Sequence, residues 1–422
     1  MGTVHEIQSA AKKHPLLFAS FCVLSSVAFS PFAFAETAPG SPTPAGSSGT
    51  RGEQPSVFYS NPGPWGKLRS FYIYLEAPKA LVDDYPLPNP KPRWSLPEST
   101  AEQLPKYFKD VGLPESFREA LLNPANQSRM GGMIHLFPPI AELEAMTPAM
   151  RELVYGELRK YPTNEYHAEP VLVTTDTVEE FYRTSKLRPE LVGKIRAMSY
   201  RYGNCLAFSD LTALLSFADS ESEARLIFKT FTRTRSLMVH LELPEETDIE
   251  PLLEYWSLGL GVRRKDLEPI MQSILDTREI ERLGLSHILP AQARKLLYTY
   301  PGPEFVLEGI QPDCHWTSLN FFNYTPQNFL LSERLATSSV LEKFTPVKPP
   351  YRYGDILFYL DSEKGSAEHS CVYLADDMVF TKNGRNAFQP WVILKLDEVS
   401  KLYLHDKITS IQGYRHKVAA QK

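Results

Sequence analysis

The chain has 422 residues, 43% hydrophobic and 23% charged, a composition typical of a globular protein with more than one domain. Its 45 basic and 50 acidic residues give a formal net charge of −5, which provides no support for nucleic acid or an anionic membrane surface as a partner. The 4 cysteines are too few for a disulfide scaffold in a chain of this length.

The N-terminus has the pattern of an export signal. Two lysines and a histidine at 12–14 precede an apolar run at 16–34, and small residues stand at the ends of the sequence AFA at 33–35. We therefore predict a cleaved signal peptide at 1–35 and an exported protein, periplasmic or extracellular, with no stable membrane span after cleavage. The alternative is an uncleaved anchor, because the run approaches the spanning length of roughly 17 residues.

Two regions of different composition follow. Residues 36–66 are rich in proline, glycine and serine and show no helical or strand period, so we predict a flexible linker. Residues 67–300 contain amphipathic segments with capping signals, such as 147–161 and 220–231, interrupted by short β-like runs such as 236–243. This pattern predicts a mainly α-helical domain of unknown role.

The pattern changes in residues 301–422. A helix is predicted at 314–323 and a second at 327–336, before a proline-marked break. A helix followed by an antiparallel meander predicts an α+β domain, and we assign the chain to the α+β class. The predicted strands are 355–360, 369–375, 378–382, 392–396 and 408–414.

A cysteine stands beside a histidine in the stretch PDCHWTSLNFF at 312–322. Neighbours on a helix point about 100° apart, so His315 is not expected to take the proton of the adjacent thiol. Asp313 is a predicted N-cap, which would place Cys314 in the first turn, where unpaired N–H groups favour a thiolate. The competing interpretation is a core helix, with Cys314 as a small residue at the end of an apolar stripe.

Three motifs in order carry a family resemblance over residues 305–415. The helix-opening DC at 313–314 is followed by YGDILFY at 353–359 and HSCVYLADD at 369–377. This series resembles the NlpC family of papain-like cysteine peptidases, bacterial enzymes of cell-wall peptide cleavage. The resemblance implies a nucleophile helix packed on an antiparallel sheet or small barrel, with Cys314 as nucleophile and His369 as general base.

The third, orienting residue matches the family less well. The family position falls about twelve places after the base, which here is Thr381, a weak orienter. Asn383 lies two residues further on the same predicted strand face, and its amide oxygen could accept the imidazole Nδ1–H. We therefore predict Asn383 rather than Thr381, with a simple Asn-Gly turn as the alternative.

Two further residues depart from the family pattern. Trp316 occupies a place that is usually small, so access or substrate preference is expected to differ. Cys371 shares the strand face of His369, and we predict a core residue there. The alternative for Cys371 is an inhibitory disulfide with Cys314.

The resemblance and the signal peptide together imply an exported cysteine hydrolase that cleaves peptide bonds in peptidoglycan stem peptides, or in another peptide or amide substrate, through a thiolate acyl-enzyme. One alternative is a CHAP-type amidase, which shares the order of cysteine and histidine. Another is a non-catalytic cell-wall-binding or scaffold protein that keeps the fold. The cysteines and histidines lack CxxC and HxxxH spacings, so we expect no metal and no cofactor.

Overall fold

A computed structural model of the chain describes residues 56–258, 260–277, 279–302, 305, 309–403 and 408–420. The predicted signal peptide at 1–35 lies outside the described residues, as does the predicted linker up to residue 55. The linker prediction is too long at its end, because Phe58–Tyr59 is a strand that pairs with Arg69 and Ser70. The Phe58 ring packs 5.6 Å from the Tyr72 ring, which gives this short strand an apolar contact.

The strands are numbered in chain order. They are β1 Phe58–Tyr59, β2 Leu68–Leu75, β3 Trp94–Pro97, β4 Gln127–Met130, β5 Met133–Leu136, β6 Val171–Val173, β7 Tyr200–Tyr202, β8 Cys205–Phe208, β9 Thr234–Glu242, β10 Arg282–Gly284, β11 Phe344–Val347, β12 Ile356–Asp361, β13 Ala367–Ala375, β14 Met378–Lys382, β15 Trp391–Lys395 and β16 Ile408–His416.

The α-helices are numbered in the same way. They are α1 Lys79–Asp84, α2 Leu104–Asp110, α3 Glu115–Leu122, α4 Ile140–Ala145, α5 Pro148–Leu158, α6 Glu165–Ala168, α7 Val178–Tyr182, α8 Pro189–Met198, α9 Leu211–Leu215, α10 Glu221–Phe231, α11 Glu250–Ser257, α12 Gly261–Leu275, α13 Ala291–Leu296, α14 Cys314–Leu319, α15 Glu333–Lys343, α16 Leu396–Tyr403 and α17 Lys417–Ala420. Short 3₁₀ turns lie at Glu98–Gln103, Pro124–Asn126, Leu285–His287 and Asn328–Leu331.

The described strands form antiparallel sheets, as the α+β prediction requires. The largest sheet has six strands in the order β11-β16-β12-β13-β14-β15, and a four-stranded sheet has the order β1-β2-β9-β10. Two three-stranded sheets have the orders β3-β5-β4 and β6-β8-β7. The region 67–300 is thus more mixed than the predicted mainly helical domain, because residues distant in sequence, such as those of β2 and β9, pair over eight positions.

The core continues across the boundary predicted at residue 300. Ser236 of β9 donates its hydroxyl to the Ile393 carbonyl of β15 at 3.1 Å and accepts the Ile393 N–H at 3.1 Å. The parts before and after residue 300 therefore belong to one compact unit, Val57–Lys422. Their shared buried cluster includes Leu68, Leu237, Trp256, Trp316, Phe380 and Trp391.

The six-stranded sheet positions the candidate site. Side chains alternate between its faces: Val372 and Phe380 join the shared core with α14, whereas Cys371 and Val379 face a second cluster beside α16. The last paired residues of β13 and β14 on this side are Val372 and Phe380. The start of β13, from residue 367, and the end of β14, up to residue 382, extend beyond this pair. Side chains beyond the last pair can therefore approach the start of α14.

Among the described residues, no helix is both long enough and apolar enough to cross a bilayer.

Candidate active site

Cys314 is the first residue of α14 and is 5% exposed. Asp313 caps the helix as predicted, since its Oδ1 accepts the Trp316 N–H at 2.8 Å. The other carboxylate oxygen, Oδ2, accepts the Arg385 Nε–H at 3.2 Å. Trp316 is fully buried in the shared core, so the core interpretation and the nucleophile interpretation of this helix are both compatible with its position.

His369 lies beside the Cys314 sulfur and is completely buried, with 0% exposure. Its Nε2 is 3.0 Å from the Thr381 hydroxyl oxygen. Its Nδ1 is buried and has no hydrogen-bond partner among the described residues. The imidazole thus has one nitrogen fixed by a neighbour and one left for the sulfur, and such contacts are often loose in a resting site.

An aromatic ring covers the imidazole. The Tyr403 ring at the end of α16 stacks on His369 with centroids 3.9 Å apart and planes at 9°. The ring centroid of Tyr359 in β12 lies 5.7 Å from the centroid of the same imidazole. The two rings restrict rotation of His369 and exclude water from it, which strengthens electrostatic interactions at the site.

The Cys314 thiol is strongly acidic. Burial is the largest influence and raises its pKa, but the nearby charges of His369 and His315 outweigh it and lower the pKa to about 5. The sulfur is therefore a thiolate at neutral pH, the form that acts as a nucleophile. Cys371 and Cys205 differ, because burial raises the pKa of both thiols.

His315 contributes a fixed charge, which the sequence argument did not anticipate. Its Nε2 donates to the Ala367 carbonyl at 3.1 Å, and its Nδ1 is 3.0 Å from the Ser370 hydroxyl oxygen. That hydroxyl donates to Ser318 at 3.1 Å, so it accepts from Nδ1 and both ring nitrogens carry protons. Burial alone would lower the pKa of His315, but the Cys314 thiolate raises it to about 9.

The two histidines therefore have separate roles. His315 has both nitrogens occupied by groups other than sulfur, which agrees with the prediction that it does not take the thiol proton. His315 nevertheless affects the site, because its charge helps to stabilise the thiolate. His369 differs, because its Nδ1 has no hydrogen-bond partner among the described residues and is free to accept a proton.

The structure does not show the hydrogen bond predicted between Asn383 and His369 Nδ1, and Thr381 contacts the imidazole at Nε2 instead. Asn383 follows the end of β14, and its buried Oδ1 has no hydrogen-bond partner among the described residues. Thr381 lies within β14, and its hydroxyl contacts His369 Nε2 at 3.0 Å and the Ser370 carbonyl at 3.3 Å. Because a hydroxyl can donate to that carbonyl, it can accept the Nε2–H and leave Nδ1 as the proton acceptor.

Cys371 is a buried free thiol with 0% exposure. The other cysteines of the described residues are also buried and free. The alternative of a Cys314–Cys371 disulfide is therefore not formed in this structure. Cys371 packs with Leu357 and Val379 in the second apolar cluster. This location agrees with its prediction as a core residue.

The comparisons with known proteins identify no relative, since no family model, curated protein or solved structure matches the chain. Among the described residues, no group of three or more histidine, cysteine, aspartate or glutamate side chains is arranged to hold a metal ion. The functional assignment therefore depends on the geometry of the site and on the motifs that predicted it.

Sequence reasoning did not identify the contributions of His315 and Tyr403 to this site, or the buried Lys382 at the end of β14. His315 is adjacent to Cys314, but helix geometry by itself does not predict its charge. Tyr403 is 34 positions after His369 in a segment with no motif, so no local pattern places its ring there. Lys382 is the one charged residue of the strand Met378–Lys382, and a lysine in a buried strand is a signal of a special role.

We expect Thr381→Val to lower the turnover of the substrate proposed below by about 10-fold, because the isosteric change removes the only hydroxyl on His369 Nε2. Asn383→Ala is the matched comparison and is expected to change turnover by less than about 3-fold. Steady-state kinetics of both variants checks the assignment. A larger loss with Asn383→Ala would return the orienting role to that residue.

Proposed function

We propose that the chain is a cysteine hydrolase of papain-like arrangement, with Cys314 as nucleophile, His369 as general base and Thr381 as the orienting residue. The single observation that carries the proposal is the burial of an acidic thiol beside an imidazole whose Nδ1 is otherwise unpartnered. A purely structural cysteine has no need for either feature, because burial alone would raise its pKa.

The chemistry follows from these positions. The Cys314 thiolate attacks a peptide or amide carbonyl, and a tetrahedral oxyanion forms, which the N–H groups at the start of α14 are placed to stabilise. The imidazolium of His369 gives its proton to the leaving amine, so a thioester joins the acyl group to Cys314. His369, now neutral, takes a proton from a water molecule, whose oxygen adds to the thioester; the C–S bond then breaks, which releases the acid and regenerates the Cys314 thiolate beside the His369 imidazolium.

The proposed substrate is a peptidoglycan stem peptide. Support for this substrate comes from the motif resemblance of residues 305–415 and from the predicted signal peptide, which would deliver the enzyme to the cell wall. The decisive experiment is digestion of purified muropeptides, with the products identified by mass. A peptide cut within the stem supports this substrate, whereas release of the whole stem would support the CHAP-type amidase.

A non-catalytic binding protein is a second candidate, favoured by one observation. Cys314 is only 5% exposed and His369 is 0% exposed, so a substrate has a narrow path to the sulfur. A binder that has lost its activity would not need an accessible, reactive thiolate. Reactivity of the thiol therefore separates the two candidates.

We expect iodoacetamide to alkylate Cys314 with a rate that rises through about pH 5 and is constant by neutral pH, because the pKa of this thiol is lowered to about 5. Cys205 and Cys371 have raised pKa values and should stay unmodified at pH 6. Mass spectrometry of the labelled peptides measures each rate. If Cys314 reacts only above pH 8, the active-thiolate assignment is lost.

A further inference from the structure

Lys382, the last residue of β14, is fully buried, with 0% exposure. Lysine is almost never fully buried unless an acidic partner compensates its charge. No carboxylate of the described residues forms an ion pair with this lysine. A buried ammonium group without a carboxylate requires another explanation.

The amine is held in one place by the loop that follows its own strand. Its Nζ donates to the carbonyl oxygens of Gly384 at 2.7 Å and of Asn386 at 3.0 Å. It also lies 5.8 Å from the ring centroid of Trp391, its partner in β15. The Trp391 Nε1–H donates to the Thr317 hydroxyl of α14 at 2.9 Å, so the lysine is on the side of the sheet that faces the nucleophile helix.

The negative groups that act on Lys382 belong to the start of that helix. Burial is the largest influence and lowers the pKa of the amine to about 7, while the anionic forms of Cys314 and Asp313 raise it. Asp313 is already paired with Arg385 on the following loop. The Cys314 thiolate is the other anion that acts on Lys382, and the charges already acting on that thiolate are those of His369 and His315.

We propose that Lys382 is a positioning residue of the Cys314 site, whose buried ammonium group stabilises the thiolate from the β14 side. It acts through Cys314 and does not contact the substrate. A Coulomb interaction is reciprocal, so an anion that favours the charged amine is itself favoured by that amine. This inference rests on the proposed function only in taking the thiolate as the reactive species.

A purely structural role would have a different consequence. Through its two carbonyl contacts, Lys382 also fixes the loop that carries Arg385 onto Asp313. Loss of that loop geometry would lower thermal stability and slow alkylation at every pH. Loss of the charge would instead move the pH at which Cys314 becomes reactive, which a structural role leaves unchanged.

The first test measures the pH dependence of Cys314 alkylation in Lys382→Met and Lys382→Gln. Both variants remove the charge, whereas the glutamine keeps a hydrogen-bond donor. We expect both to raise the apparent pKa of Cys314 by roughly 0.5 to 1 unit, which slows alkylation about 3- to 10-fold below pH 5. Lys395→Met is the matched control, because Lys395 lies on the adjacent strand β15 and pairs with Asp377. An unchanged midpoint in both Lys382 variants overturns the proposal.

The second test leaves Lys382 unchanged, so it does not depend on whether a variant of a buried lysine folds. In protein with ¹³C-labelled lysine, the signal of Lys382 identifies itself, since it titrates far below the ordinary lysine range of about 10.4. We expect the titration midpoint of Lys382 to be lower in Cys314→Ala than in the native protein. This decrease should equal the increase in the Cys314 midpoint that is measured in the Lys382 variants. A midpoint that does not move contradicts the coupling. Neither test uses substrate turnover, so both can succeed even if muropeptides are not cleaved.

Discussion

Cys314→Ala is expected to abolish cleavage of muropeptides, with a loss of turnover of at least about 10³-fold, because the thioester cannot form without the sulfur. The substitution removes only the sulfur atom and keeps the β-carbon, so the fold should persist. Cleavage products are measured by mass after incubation with equal amounts of each protein.

Cys205→Ala is the matched control for this result. Cys205 is also 5% exposed, but its sulfur lies beside the Lys401 carbonyl at 3.7 Å and not beside an imidazole. Its replacement makes the same chemical change and is expected to leave turnover within about 2-fold of the native value. Equal product profiles for the native chain and Cys314→Ala would remove the hydrolase assignment for that substrate.

His369→Gln has the second largest expected effect, a decrease in turnover of about 10²- to 10⁴-fold. The variant loses the group that takes and returns the proton. It also loses the largest of the influences that lower the pKa of Cys314, so the alkylation midpoint should move from about pH 5 toward the ordinary thiol value near 8.5. Kinetics and the alkylation profile should therefore change together.

His315→Gln distinguishes a base from a fixed charge. Because both nitrogens of His315 are bonded elsewhere, this variant keeps the proton acceptor on His369. We expect a raised pKa of Cys314 but a turnover within about 10-fold of native once the pH is high enough to form the thiolate. If His315→Gln lost as much turnover as His369→Gln at high pH, the two roles would have to be exchanged.

The residues packed around His369 restrict how a substrate can approach it. Tyr403 covers one face of His369 at 3.9 Å, and the opposite end of the ring is fixed to Thr381. Cys314 is itself only 5% exposed.

The strands between residues 355 and 416 were predicted closely because their local signals agree, whereas β11 at Phe344–Val347 and α16 at Leu396–Tyr403 were not predicted. Predicted strands at 369–375 and 378–382 correspond to β13 at Ala367–Ala375 and β14 at Met378–Lys382. Their β-branched and aromatic residues alternate between two buried faces and are separated by the short turn of Asp376 and Asp377. The N-cap at Asp313 is equally local, since one side chain and one amide three residues later form it.

The sequence alone determined the positions of Cys314 and His369, their order and the elements that carry them. Only the tertiary structure decided which neighbour touches each ring nitrogen. The β13–β14 pairing covers Val372 to Ala375 and does not include His369. Whether Thr381 or Asn383 reaches the imidazole therefore depended on how the two strands separate, which no local pattern encodes. The contributions of His315, Lys382 and Tyr403 depend on long-range packing and charge, because burial and neighbouring charge set a pKa and both arise only when distant segments meet.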